Sequence, residues 1–223
     1  MKKFPSSYYN TYVIECFGFT REPDTLNYAL VLKLKDCSLR SHLDKNYNSL
    51  TLKDKLDIII RICLGLDCIH NHNVIHRDFH LGNILYSSTN DKKKFEISIS
   101  DFGFCKPAFE PLGPEDKKLY GVLSYMAPEI WARKGHIKKS DIYSFGIIIN
   151  EIISGNRPYQ NIQHNFNLAI GICHGSRPNI RPETPEPLKK LIQKCQDFIY
   201  AKNDQGSYNF KKFTEQYEKL YFN

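Results

Sequence analysis

The stretch HRDFHLGN, residues 76–83, places several side chains with acid–base or ligand chemistry in eight positions. Asp78 and Asn83 stand five positions apart, with Arg77 and His80 beside Asp78. A carboxylate can accept the proton of an attacking hydroxyl group, and an amide oxygen is a ligand that Mg²⁺ accepts. The stretch therefore indicates a phosphoryl-transfer loop, which also needs a second acidic metal ligand elsewhere in the chain.

That second acid is Asp101, which opens the sequence DFG after a short strand pattern. The order H-R-D-x-x-x-x-N, D-F-G and then A-P-E at 127–129 resembles the signature set of eukaryotic protein kinases. The later run SDIYSFGIIINEIISGNRPY resembles the central helix of the large lobe in that family. The resemblance covers about residues 11–197.

The resemblance implies a role for each residue of the loop. Asp78 would be the catalytic base, and Arg77 would bind a phosphate or an acid from the activation loop. Asn83 and Asp101 would hold Mg²⁺. His80 stands where serine/threonine kinases usually carry a lysine that contacts the γ-phosphate of ATP, so a less charged group replaces that cation.

Other positions would support the site. By the resemblance, Phe102 packs against His76, Gly103 completes the DFG motif, and Asp141 accepts hydrogen bonds from the backbone of the catalytic loop. Glu129 would pair with an arginine near the end of the domain, for which the sequence shows no clear counterpart.

The resemblance also implies an adenine site and a cofactor. Leu85 would form the floor under adenine, and Leu32, Lys33 and Leu34 would be the hinge beside it. The expected cofactors are ATP and Mg²⁺, and the expected substrate is a protein.

The expected fold class is α+β, with a protein-kinase-like architecture. Residues 1–34 read as a residual, few-stranded N-lobe that ends at the hinge, and residues 35–223 as a mostly helical C-lobe. Residues 11–19 are predicted to form the first strand. Ser38 is the predicted N-cap of a short helix, and Thr51 with Asp54 predicts a capping box for a longer one that ends near residues 71–73. His70, close to that end, is expected at the surface or in a loop. A helix from about 141 to 154, apolar on nearly every face, is expected to be buried all round. Further helices are predicted at 164–173, 185–197 and 208–221.

The front of a kinase N-lobe has no counterpart in this sequence. Only about twelve residues precede the strand VIECFGF, and they contain neither a glycine nor a V-A-I-K lysine. Weak ATP binding by this chain is therefore expected.

One alternative function is that of a pseudokinase that serves as an interaction module. Another is a small-molecule phosphotransferase of the aminoglycoside type, whose loop often carries a histidine at the position of His80 but which lacks the D-F-G and A-P-E motifs.

Two further features refine the kinase reading. His80, together with Val122 where many serine/threonine kinases carry a threonine, indicates the tyrosine-kinase-like group and leaves the acceptor residue open.

The activation segment runs between Gly103 and Ala127. Its middle has no hydroxyl residue and carries Glu115 and Asp116 instead. Either these carboxylates replace an activating phosphate at Arg77, or they form a solvated turn with the neighbouring lysines.

Composition excludes several other classes of protein. The net charge is +7, but the basic residues are scattered beside acids, which argues against a nucleic-acid partner. The seven cysteines form no C-x-x-C pair, which argues against zinc and fits a reducing compartment, and most of them are expected to be small core residues. With no apolar run of membrane-spanning length, the expectation is a chain without a membrane partner, located in the cytoplasm, with the nucleus as a second location. The oligomeric state is open.

Overall fold

The computed structural model describes residues 12–89, 91, 94–108, 121–131 and 135–197. Its architecture is the expected α+β one, in which helices dominate and short antiparallel strands pair in small sheets. The helices are α1 (Leu39–Asn46), α2 (Leu52–Asn71), α3 (Pro128–Trp131), α4 (Lys138–Ser154), α5 (Phe166–Cys173) and α6 (Glu186–Gln196). The strands are β1 (Cys16–Arg21), β2 (Tyr28–Leu32), β3 (Cys37–Ser38), β4 (Val74–Ile75), β5 (Ile84–Ser88), β6 (Phe95–Ile99) and β7 (Lys106–Pro107). The predicted helix at 208–221 lies outside the described residues.

Helix α2 begins and ends where the sequence predicts. The Asp54 amide donates to Thr51 Oγ1 at 3.2 Å, and the Thr51 amide donates to Asp54 Oδ2 at 2.9 Å, so both halves of the capping box form. Two otherwise unsatisfied amides at the helix start are thereby paired, which typically stabilises a helix by about 1 kcal/mol. Helix α2 then runs directly into β4 and the catalytic-loop stretch, so it fixes where that loop starts.

Helix α4 is buried on all sides, as its apolar pattern predicts. Every residue from Ser140 to Ser154 is buried. The helix starts at Lys138, earlier than the predicted start, because Ser140 Oγ accepts a hydrogen bond from the Ile137 amide at 3.2 Å. A Cβ atom at Gly146 would lie 2.7 Å from the Cβ of Cys195, so glycine lets α6 pack directly against α4.

Along the chain, residues 76–83 connect α2 and β4 to a three-stranded antiparallel sheet in the order β3-β5-β6. Strand β5 follows the catalytic loop, and β6 leads into the DFG sequence. Because β5 and β6 pair with Ile84 opposite Ile99, the end of one motif and the start of the next lie side by side.

The hairpin of β1 and β2 lies before this sheet and is largely exposed. Strand β1 was predicted within residues 11–19, but it runs from Cys16 to Arg21. The preceding residues join β6 instead, because Val13 forms a parallel bridge to Ile99 and the Ile14 amide donates to Ile99 O at 2.8 Å.

All seven cysteines are free thiols, but only Cys63, Cys68 and Cys195 are buried, so fewer of them are core residues than the sequence suggested. None of the helices within the described residues has the length and apolar character required to cross a membrane.

Candidate active site

The catalytic loop is tied to helix α4 through the carboxylate of Asp141. The His76 amide donates to Asp141 Oδ2 at 2.8 Å, and the Arg77 amide donates to Oδ1 at 3.0 Å. Arg77 has a φ of +73°, a left-handed conformation that non-glycine residues rarely adopt. The two hydrogen bonds from these backbone amides hold the unfavourable conformation in place. They thereby fix the path of the backbone that leads to Asp78.

His70 completes the same cluster from the last turn of α2. Its Nε2 lies 2.9 Å from Asp141 Oδ2, and the side chain is buried. The sequence reading placed His70 at the surface, which is wrong. Burial alone would raise the pKa of the Asp141 carboxyl, but the hydrogen bond and charge of His70 and the His76 amide bring that pKa below its ordinary value.

Asn83 holds Asp78 through its side-chain amide. Asn83 Nδ2 donates to Asp78 O at 2.9 Å and to Asp78 Oδ2 at 3.2 Å. Because both contacts use the amide nitrogen, Asn83 Oδ1 points the other way and remains available as a ligand.

His80 lies on the opposite side of the Asp78 carboxylate. Its Nε2 is 3.5 Å from Asp78 Oδ1, an oxygen that is buried and accepts no hydrogen bond from the described residues. Burial alone would raise the pKa of Asp78, but the His80 imidazole and the Asn83 amide lower it overall. Gly121 borders the same oxygen, since a Cβ atom there would lie 3.4 Å from it, and the φ of +114° at this position favours glycine.

The DFG sequence is anchored to the same loop. The Ser100 amide and hydroxyl both donate to Asn83 O at 2.8 Å, which joins the residue before Asp101 to the second motif. Asp101 is exposed, has a φ of +61°, and accepts a hydrogen bond from the Gly103 amide at 3.3 Å. Its carboxylate and Asn83 Oδ1 are oxygen ligands of the kind that fits Mg²⁺.

An aromatic contact joins the two motifs in the core. The ring of His76 lies 5.4 Å from that of Phe102 and 5.3 Å from that of Phe79. His76 Nε2 donates to Ser100 O at 3.0 Å, so the ring carries its hydrogen on that nitrogen. Burial lowers the pKa of His76 below its ordinary value, although the nearby carboxylates of Asp141, Asp78 and Asp101 oppose this effect.

Comparisons with known proteins agree with this geometry. A family profile described as protein tyrosine and serine/threonine kinase matches residues 3–205. The chain belongs to the protein kinase family. A probable serine/threonine-protein kinase of Dictyostelium discoideum is 30% identical over 152 residues, which cover 67% of this chain and 14% of that protein. A Raf homolog serine/threonine-protein kinase of Caenorhabditis elegans is 28% identical over 193 residues, covering 82% of this chain and 23% of that protein. The chain thus spans about a quarter or less of either relative's length.

The residues expected to form the adenine side of the kinase domain lie at the end of β2, just after it, and in β5. Leu32 and Leu34 are exposed, and Leu85 is partly buried in β5, where it pairs with Ser98 of β6. The Lys33 amide donates to Glu15 O at 2.9 Å, which fixes the end of β2. These positions are compatible with the predicted hinge and floor, and their roles remain predictions.

Arg40, Tyr125 and Glu151 form a charged cluster that was not predicted from the sequence. Arg40 Nη1 donates to Glu151 Oε1 at 2.7 Å. The Tyr125 hydroxyl contacts both Arg40 and Glu151. Ser144 Oγ donates to Tyr125 O at 2.8 Å, so the segment before the A-P-E motif is fixed to α4.

Glu129 of that motif is also bound to α4. Its Oε1 accepts a hydrogen bond from Ser140 Oγ at 2.7 Å, a partner that the sequence reading did not identify. The residues Glu115 and Asp116 lie outside the described part of the chain, so their proposed relation to Arg77 stays a prediction.

Proposed function

We propose that this kinase domain transfers the γ-phosphoryl group of ATP to hydroxyl groups of protein substrates, with Mg²⁺ held by Asn83 and Asp101. The names of the relatives, which are serine/threonine kinases, support serine and threonine as the first acceptors to test. We assign the chain to the tyrosine-kinase-like group on His80 and Val122, which replace a lysine and a threonine of many serine/threonine kinases.

The observation that carries the proposal is the orientation of Asn83. Its amide nitrogen donates to both Asp78 O and Asp78 Oδ2, which leaves its amide oxygen as the atom that could bind a metal ion. When bound there, Mg²⁺ would neutralise charge on the phosphates of ATP. A structural asparagine would use both ends of its amide within the protein, whereas no hydrogen bond to Asn83 Oδ1 is formed by the described residues.

Asp78 has the properties of the group that accepts the hydroxyl proton. Its pKa is lowered, so the carboxylate is ionised at neutral pH. Oδ1 is buried, and the side chain is 12% exposed, so Oδ2 is the oxygen that an incoming hydroxyl group can reach. Asn83 already contacts Oδ2 and so brings this oxygen and the metal ligand to the same side of the loop.

The test uses the purified chain, Mg-ATP labelled at the γ-phosphate, and peptides that present serine, threonine or tyrosine. We expect wild type to label serine or threonine peptides. Asp78→Asn should lower the rate by at least about a hundredfold, which is the lower range for removal of a general base. Asp101→Asn should lower it through loss of a metal ligand. Asp44→Asn, at an exposed ion pair with Arg157, is the matched control and should leave the rate unchanged.

Other outcomes decide between the remaining classes. Transfer only to small molecules would identify the aminoglycoside-type alternative, and nucleotide binding without transfer would identify a pseudokinase. Full activity in Asp78→Asn would refute the assignment of the base.

The seven free thiols support a reducing compartment, and we accordingly propose the cytoplasm, with the nucleus as a second location.

A further inference from the structure

His80 makes a different contact with each of its two ring nitrogens. The Gly82 amide donates to His80 Nδ1 at 3.0 Å, which makes His80 the N-cap of the short turn Leu81–Asn83. Nδ1 must have a free lone pair to accept this bond, so the hydrogen of the neutral ring lies on Nε2. Nε2 is the nitrogen that faces Asp78 Oδ1 at 3.5 Å.

Gly82 is required for this arrangement by its lack of a side chain. A Cβ atom at this position would lie 2.7 Å from His80 Cε1 and 2.8 Å from His80 Nδ1. Real Cβ atoms do not approach so closely, so any larger residue would displace the imidazole from Asp78. Among the described residues, apart from the two chain neighbours of Gly82, the His80 ring is the only group within 4 Å of that position.

The Nε2 side of the His80 ring faces the second oxygen of the carboxylate, Asp78 Oδ1, at 3.5 Å, which is longer than a normal hydrogen bond. Asp78 Oδ1 is buried and has no hydrogen bond from the described residues, and leaving a buried acceptor unsatisfied is costly. Across the ring, His80 lies 5.8 Å from the ring of Tyr125, which limits its movement on the other side. The imidazole is thus confined between Gly82, Tyr125 and the carboxylate.

We propose that Gly82 fixes the His80 ring with Nδ1 on the Gly82 amide and Nε2–H toward Asp78, and that His80 is a positioning residue that orients the Asp78 carboxylate through Oδ1. Oδ2 is then left directed toward the acceptor hydroxyl. In this role His80 is neither a cation for the γ-phosphate nor a second base, because its other nitrogen is occupied by the Gly82 amide. This inference rests on the proposed function.

Two substitutions separate the capping role from the donor role. In the His80→Asn variant, the side-chain oxygen can still accept the hydrogen bond from the Gly82 amide, but the side chain is too short to donate to Asp78. Gln in His80→Gln has the length to place an amide donor near the position of Nε2. We expect His80→Asn to keep the melting temperature and the KM for Mg-ATP while kcat falls about tenfold, and His80→Gln to recover most of that loss. Unchanged kcat in His80→Asn would show that His80 is only a cap and would overturn the proposal.

A double-mutant cycle tests the role of Gly82. Gly82→Ala should lower kcat about tenfold in the wild-type background, because the added methyl group displaces the ring. In the His80→Ala background, where no ring is present, Gly82→Ala should have no further effect. Losses that multiply instead would mean that Gly82 acts independently of His80, contrary to the proposal.

A spectroscopic measurement is independent of phosphoryl transfer. Imidazole ¹⁵N shifts of the full chain, with the His80 signals assigned by their loss in His80→Asn, should show protonated Nε2 and unprotonated Nδ1 at neutral pH. The Gly82→Ala variant should lose this single tautomer. A protonated Nδ1 in wild type would overturn the proposal even if the enzyme is active. A wild-type chain that transfers no phosphate would instead refute the proposed function, while the nitrogen shifts still decide the tautomer.

Discussion

Arg40 of α1 and Glu151 of α4 form an ion pair at 2.7 Å, although they are 111 positions apart. The side chain of Glu151 is only 6% exposed, and that of Arg40 is 23% exposed. Burial raises the pKa of Glu151 above its ordinary value despite the opposing effect of Arg40. The pair therefore joins α1 to the central helix α4 at a partly desolvated site.

Removal of Arg40 should destabilise the domain. Arg40→Gln leaves a buried carboxylate without its cation, and we expect the free energy of unfolding to fall by about 2 kcal/mol in urea titrations at neutral pH. Arg157→Gln is the matched control, since the pair of Arg157 with Asp44 is solvent-exposed and should contribute less than about 0.5 kcal/mol. Equal effects of both variants would contradict the role of burial.

The carboxylate of Asp141 should be needed for both stability and activity. Asp141→Asn replaces one of two acceptor oxygens by a donor, which then faces an N–H group of His76, Arg77 or His70. We expect a loss of about 3 kcal/mol in unfolding free energy, as for a broken buried charged network. Phosphoryl transfer should fall even where the variant is still folded, because the loop backbone is released. Wild-type activity in a fully folded Asp141→Asn chain would show that the loop needs no such anchor.

His76 should make stability depend on pH near neutrality. Its pKa is lowered in the folded state by burial, so between that value and the unfolded value of about 6.5 the unfolded chain binds more protons. Stability is therefore expected to fall as pH drops below about 6.5. His76→Phe retains an aromatic ring against Phe79 and Phe102 and should flatten this part of the curve, measured by urea unfolding from pH 5 to 8. The same slope in the variant would assign the effect to another group.

ATP binding by the 223-residue chain should require Mg²⁺. In the proposed function Asn83 and Asp101 hold Mg²⁺, and the metal in turn binds the phosphates of ATP. Asp101→Asn should weaken Mg-ATP binding by at least about tenfold, because even outer-shell partners of metal ligands contribute that much. Calorimetry with and without EDTA checks this, and tight binding in EDTA would contradict it.

The sequence predicts well those features that depend on neighbouring residues. Thr51 and Asp54 lie three positions apart, and the buried pattern of α4 is continuous, so both were read correctly. His70 was assigned to the surface because its partner Asp141 is 71 positions away, and no local pattern reveals that pairing. The cluster of Arg40, Tyr125 and Glu151 was missed for the same reason.

The candidate site shows the same division. Motif order predicts that Asp78, Asn83 and Asp101 belong to one site, but the loop sequence does not show which oxygen of Asp78 is buried. Gly82 would have passed as an ordinary turn glycine, because its importance depends on where the His80 ring lies. Such contacts follow from side-chain packing that spacing along the chain does not encode.

The complete burial of α4 has a consequence for hydrogen exchange. The amides of His76 and Arg77 donate to a carboxylate on this helix, which cannot be solvated unless the core around it opens. Their exchange should therefore report global unfolding, whereas the exposed β1–β2 hairpin exchanges through local opening. The catalytic loop would then lose its geometry only when the whole helical domain unfolds.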